Sequence, residues 1–142
     1  MTGNASLILW PMLAHSGLVF FLYAWLTAAR VGAVRRGEVE YSCFVFGKGE
    51  PLQAARISQN LKNQFELPVI FYAMVLLLIV LGRVNAIDVI AAWVFVAGRL
   101  IHSAVQTLTD NVPLRGNVFT INFLAVVVLV GHVLLIALES VR

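Results

Sequence analysis

The sequence predicts an all-α fold, a four-helix transmembrane bundle running up-down-up-down through a bilayer. Three observations carry this reading. Only 12% of the 142 residues are charged, about half the level of a soluble domain, so the chain holds too little charge to coat a water-facing surface. Residues 1–29, 67–82 and 116–138 contain no Lys, Arg, Asp or Glu, and a shorter uncharged run at 89–98 sits inside a longer apolar pattern. About 20 apolar residues at 1.5 Å each cross the hydrocarbon core, so four spans fit and little chain is left over. The connections are short and rich in turn residues, which makes consecutive helices antiparallel neighbours. The length fits one integral-membrane domain, residues 1–142.

The first helix is expected at about 6–34. Its leader, Met-Thr-Gly-Asn, has no positive charge and its apolar run is too long for a cleaved signal peptide, so it reads as a retained span. A polar loop at 35–50 follows, broken by Gly37, Gly47 and Gly49. Pro51 stands where prolines favour a helix start. The second helix then runs over about 52–82, roughly 45 Å, so its first turns should project into the headgroups. Pro68 inside it predicts a local kink, which a packed bundle tolerates. The third helix is expected at about 86–109, the Asp110-Asn111-Val112-Pro113 segment turns the chain, and the fourth covers about 114–139.

Basic residues orient the bundle. The first connection and its flanks hold Arg30, Arg35, Arg36, Lys48, Arg56 and Lys62, whereas the second turn holds only Arg83. Lys and Arg in short loops stay on the cytoplasmic side, so the first and third connections should be cytoplasmic, and Arg115 agrees. The net charge of +3 suits membrane orientation and not nucleic-acid binding, which would want a basic patch on a soluble surface. The single cysteine, Cys43, excludes an intrachain disulfide and a multi-cysteine metal cluster. No phosphate-binding glycine loop, Ser/His/Asp arrangement or HExxH zinc motif occurs.

Ionisable groups at membrane depth are costly, and they normally face a bundle interior or a wet cavity. On the second helix Arg56, Asn60, Asn63 and Glu66 recur at spacings of four, three and three, a single helical face. On the third, Arg99, His102 and Gln106 recur at three and four. Arg30 ends the apolar run of the first helix and Arg115 begins the fourth. Four segments thus deliver polar groups to one leaflet. Several arginines suit capture of a polar, anionic molecule, because guanidinium stays protonated and binds carboxylates bidentately. Glu66 could pair with one of them or accept from a ligand ammonium. An arginine near a thiol also favours the nucleophilic thiolate. The competing account is a structural network that braces helices or subunits. That account is the favoured one for His15 and His132, which stand alone, while Glu139 and Arg142 read as solvated ends. Trp10, Trp25 and Trp93 fit interfacial or core packing.

The stretch Arg56-Ile-Ser-Gln-Asn-Leu-Lys-Asn63-Gln-Phe-Glu66-Leu-Pro68 resembles the second-helix motif of the MAPEG family, the membrane-associated proteins in eicosanoid and glutathione metabolism. Gly98-Arg99-Leu-Ile-His102 and then Pro113-Leu-Arg115 resemble that family's third helix and following turn, with a spacing close to that of the microsomal prostaglandin E synthases. The resemblance implies a homotrimer that binds glutathione as co-substrate between subunits near the cytoplasmic face. By position it implies that Arg30, Arg56, Asn63, Glu66, Arg99, His102 and Gln106 bind glutathione, and that Arg115 stabilises its thiolate and carries catalysis. It further implies a multi-pass protein in contact with membrane lipid, in a bacterial-type branch and so in the inner membrane. The expected activity is that of a microsomal glutathione transferase or peroxidase acting on lipophilic electrophiles. The chain departs from the family pattern at Gln106, where relatives often carry tyrosine, at Gln59, where they often carry a second arginine, and at Gly116, where the prostaglandin branch has a serine. Two other readings stand beside this one: a non-catalytic binding or scaffold protein that keeps the fold, and a small four-helix transporter.

Overall fold

The computed structural model describes residues 3–45 and 49–141. Gly47, Lys48 and Arg142, and the first two residues of the leader, lie outside the described residues. The described chain is helical, with α1 at Gly3–Leu7, α2 at Leu9–Arg35, α3 at Leu52–Asn63, α4 at Leu67–Val80, α5 at Ala86–Leu108 and α6 at Val112–Glu139. A 3₁₀ turn at Tyr41–Phe44 lies in the first connection. No strand occurs among the described residues. Four helical stretches are long and apolar enough to cross a membrane: Gly3–Arg35, Leu52–Val80, Ala86–Leu108 and Val112–Glu139.

Prolines explain where the spans are interrupted. Pro11 has no N–H for the Leu7 carbonyl, and the first span breaks at Ile8 between α1 and α2. Pro68 likewise leaves the Gln64 carbonyl without its helical donor. Where the sequence predicts one kinked helix over 52–82, the chain instead stops at Asn63 and restarts at Leu67. Gln64 N and Phe65 N tighten onto Leu61 O and Lys62 O at 3.0 and 2.9 Å, each one residue short of the α-helical partner. The break therefore frees carbonyls inside a membrane span, and they need side-chain donors.

Glycines end two helices by the same device. Gly37 and Gly82 adopt φ of +72° and +66°, the left-handed conformation that side chains disfavour. The next residues then reach back, Glu38 N to Ala33 O and Arg83 N to Leu78 O, both at 3.1 Å. At the start of α5, Asn85 and Asp88 form a reciprocal capping box. Helix α6 begins at Val112, two residues before the expected start, because Pro113 fits the first turn and the Asn111 side chain accepts from Leu114 N at 3.0 Å.

The third span is the most enclosed, with half of its apolar window buried against about a third for the others. One face of α5 packs on α6 along its length, and others meet α2 and α3. Phe71, Val75 and Leu78 of α4 meet Ala92, Phe95 and Val96 of α5 and Leu129 of α6 in the main core. Within it the Phe71 and Phe95 rings stack with centroids 4.2 Å apart. A second cluster joins Leu18, Leu22 and Leu26 of α2 to Ala54, Ile57 and Leu61 of α3. Outside, Phe20, Leu76, Val80, Ile90, Phe123 and Leu135 lie exposed. Such a surface would aggregate in water and is the expected face toward lipid. The chain is an integral, multi-pass membrane protein.

Candidate functional site

The polar residues of the spans separate into a closed network and an open cleft. The network begins with Gln64, the residue at the break. Its Nε2 donates to Asn60 O at 3.3 Å, Asn60 Oδ1 at 3.0 Å and Ser103 Oγ at 3.2 Å. Its Oε1 accepts from Arg99 Nε and lies 3.1 Å from His15 Nε2. Because that oxygen can only accept, His15 carries its proton on Nε2, and the Tyr72 hydroxyl donates to Nδ1 at 2.8 Å. Arg99 Nη2 donates to Asn63 O at 2.8 Å, one of the carbonyls that the break releases. His15, Asn60, Gln64 and Arg99 are all buried. Here His15 is a hydrogen-bonded link between α2, α4 and the break, as its isolation in sequence suggested. His132 is a second such link, 2.9 Å from both carboxylate oxygens of Asp88.

The cleft opens next to this network, between α3, α5 and the start of α6. Two adjoining cavities of about 270 and 250 Å³ share Gln59, Gln106, Val112 and Arg115. Arg56 and Asp110 close the first, and Asn63, His102 and Phe119 close the second. Gln106 is the border residue. Its Oε1 accepts from Asn60 Nδ2 at 3.0 Å and Asn63 Nδ2 at 3.1 Å, which fixes the amide and leaves Nε2 buried with no partner. His102 Nδ1 is likewise buried and unpaired. Orphaned polar atoms are uncommon in folded proteins, because each loses its hydration without recompense. Arg56 pairs with the exposed Asp110. Arg115 is half-buried and forms no ion pair among the described residues. The cleft thus offers a guanidinium and an amide N–H with nothing to bind, a donor-rich arrangement complementary to an anionic, acceptor-rich ligand.

Of the residues singled out from sequence, the fold brings Arg56, Asn63, His102, Gln106 and Arg115 to this cleft, holds Asn60 in the closed network and leaves three others elsewhere. Arg99 shares the α5 face with Gln106 but lies about 10 Å deeper along the helix, within the closed network. Glu66 is exposed and lines neither cavity, because the break at 64–66 ends the helical face on which its spacing had placed it. Arg30 pairs with Glu50 at 2.7 Å and stacks over Phe44, also outside both cavities. Gln64 was missed. Its signals were local: a side chain four residues after Asn60, and a proline four residues on that orphans its carbonyl. Among the described residues no three His, Cys, Asp or Glu side chains converge as metal ligands.

The family model for the MAPEG family matches residues 8–135. The chain belongs to the MAPEG family. That membership makes it a membrane protein of a group linked broadly to glutathione and eicosanoid metabolism. The match takes in every residue of the cleft and of the network. No match is found among curated proteins or among solved structures.

Proposed function

We propose that this MAPEG protein binds glutathione in the cleft between α3, α5 and α6 and uses it against lipophilic electrophiles that arrive from the bilayer. The observation that carries the reading is the set of unsatisfied donors, with Gln106 Nε2 buried and orphaned beside the unpaired guanidinium of Arg115. Glutathione is acceptor-rich and anionic, with two carboxylates and a thiol, and such a ligand would satisfy these groups. Arg56 and Gln106 would hold its polar ends. Asn63 would be kept in place by Gln106 and by the grip of Arg99 on its backbone carbonyl. Arg115 would lie beside sulfur and favour the thiolate over the thiol.

The reaction that follows is a displacement or an addition. The thiolate sulfur donates an electron pair to an electrophilic carbon and the S–C bond forms; in a displacement a leaving group departs with its bonding pair, and in an addition the displaced π pair takes up a proton. In the peroxidase variant the thiolate sulfur attacks a hydroperoxide oxygen, the O–O bond breaks with release of the alcohol, and a second glutathione thiol attacks the resulting sulfenic acid, releasing water and forming the disulfide. Phe119 and Val112 give the cleft an apolar side against which such a substrate packs. A homotrimer is part of the proposal. Gln59, Lys62 and Glu66 are exposed on the second span, an expensive arrangement against lipid that a neighbouring copy would cover. Arg30 and Glu66 would reach a ligand only in such an assembly. The basic first connection supports a cytoplasmic position for this end of the bundle, in a bacterial inner membrane.

The test is glutathione calorimetry on the purified protein in detergent, with Arg115→Ala alongside, followed by turnover of a generic aryl halide. Binding that weakens about tenfold in the variant, with turnover abolished, is the expected result. Binding without turnover across a broad electrophile panel would favour the non-catalytic scaffold. No binding at millimolar glutathione would remove the co-substrate and leave only the fold.

A further inference from the structure

A second polar group lies at the other end of α5, about 27 Å from Gln106 along the helix. Asn85 Oδ1 accepts from Ile87 N and Asp88 N at 2.7 and 3.1 Å, and Asp88 Oδ2 accepts from Asn85 N at 2.8 Å. Capping explains Asp88 and half of Asn85. It does not explain His132 on α6, nor the Asn85 amide nitrogen. Asp88 is fully buried, and His132 Nδ1 stands 2.9 Å from both of its oxygens. A carboxylate only accepts, so Nδ1 carries the proton, and in the neutral ring Nε2 is left as an acceptor. Nε2 has no hydrogen-bond partner among the described residues, and the side chain is 19% exposed. Asn85 Nδ2 lies 3.4 Å from His132 Nδ1. Both atoms are donors in this tautomer, so that contact satisfies neither and the amide hydrogens stay available.

Asn85, Asp88 and His132 line a cavity of about 520 Å³, the remainder of which is apolar, with Ile87, Val128, Leu134 and Leu135 as its walls. That volume is in the range of small-molecule sites. One acceptor and one donor lining the same largely apolar cavity complement a hydroxyl group, which both donates and accepts.

We propose that this cavity binds a lipophilic phenol or alcohol from the bilayer, its O–H donating to His132 Nε2 and its oxygen accepting from Asn85 Nδ2. The apolar body of the ligand lies against Ile87, Val128, Leu134 and Leu135. Asp88 acts through His132 by fixing the tautomer and ring orientation. The site is independent of the glutathione cleft and stands whether or not glutathione binds there.

The probe is 1-naphthol, compared with 1-methoxynaphthalene, which has the same rings and no donor. Purified protein with ¹⁵N-labelled histidine is titrated in detergent and the imidazole signal of His132 is followed, assigned by its loss in His132→Phe. Naphthol should shift the Nε2 signal saturably, and the ether should bind about tenfold more weakly. Asn85→Ser retains a good N-cap and so keeps α5 intact, yet removes the amide donor. It should weaken naphthol about tenfold with no change in the thermal midpoint. Equal affinity for naphthol and its ether would reduce the effect to micelle partitioning and overturn the proposal. So would full affinity in Asn85→Ser, or a His132 signal that naphthol leaves unmoved because a second copy of the chain covers the cavity.

Discussion

The Gln64 network and the Arg115 cleft are built from the same residue types, only a turn or two apart, and they end in opposite states. Around Gln64 every side-chain donor and acceptor that is fully enclosed has a partner, and the backbone carbonyls of Asn60 and Asn63 accept from Gln64 and Arg99. A few ångströms away Gln106 Nε2 and His102 Nδ1 have none. Gln106 belongs to both, with its oxygen in the network and its nitrogen in the cleft. A buried polar group that is fully paired explains itself by structure, whereas one left unpaired at the wall of a cleft calls for something in the cleft to pair with it. That difference, more than the count of polar residues, separates scaffold from site.

Substitutions that break this contrast rank by how many partners they strand. Gln64→Leu removes the link among Arg99, His15, Asn60 and Ser103 and leaves a buried guanidinium short of an acceptor. It should lower stability by about 3 kcal/mol, read by unfolding in detergent. Gly98→Ala comes next. A Cβ at Gly98 would fall 1.9 Å from Asn122 Oδ1 and 2.9 Å from its Cγ, and Asn122 is fully buried in the α5–α6 seam. The expected loss is about 1–3 kcal/mol. Adding Asn122→Ala should recover part of it, since the obstacle and two orphaned atoms leave together. Additive losses in that double variant would show that the seam has shifted and not been relieved.

Arg115→Ala should sharpen the contrast from the other side. It strands no protein partner, so its stability should stay within about 0.5 kcal/mol of the parent even as glutathione affinity falls. The smallest effect is expected at Glu38, whose carboxyl is held below its usual range by the hydrogen bond from Arg36. Such a group contributes stability above the ordinary carboxylate range and loses it as pH falls through its lowered value. Both residues are exposed, so solvent screens the pair. The unfolding midpoint of Glu38→Gln should match the parent at pH 7, and any residual difference should vanish on acidification.

The spans were legible because every helix that faces lipid must be apolar, whatever it packs against. The break in the second span was legible only in part. Pro68 announces a disturbance, but its width depends on whether donors exist for the freed carbonyls. Those donors, Gln64 and Arg99, sit on different spans. Spacing on α5 correctly put Arg99, His102 and Gln106 on one face, yet spacing records angle and not enclosure. Depth along the helix separates Arg99 in the network from Gln106 at the cleft. Glu66 shows the converse, because its spacing assumed a helix that stops three residues earlier. His15 was recognisable as a link between helices, but not its partners, which lie 49 and 57 positions along the chain.

The same break has a consequence for the surrounding lipid. Helix α4 has 14 residues, about 21 Å of helix, and the hydrocarbon core is about 30 Å thick. The apolar half of the second span is therefore too short to cross unaided, and the rest of the distance falls to α3 and the break, where Gln59, Lys62 and Glu66 are exposed. Acyl chains avoid such a surface, and a bilayer accommodates a short apolar segment by thinning beside it. Wherever a neighbouring copy leaves this flank uncovered, headgroups and water dip inward along it, so a molecule dissolved in the membrane meets the aqueous boundary sooner there than elsewhere around the bundle.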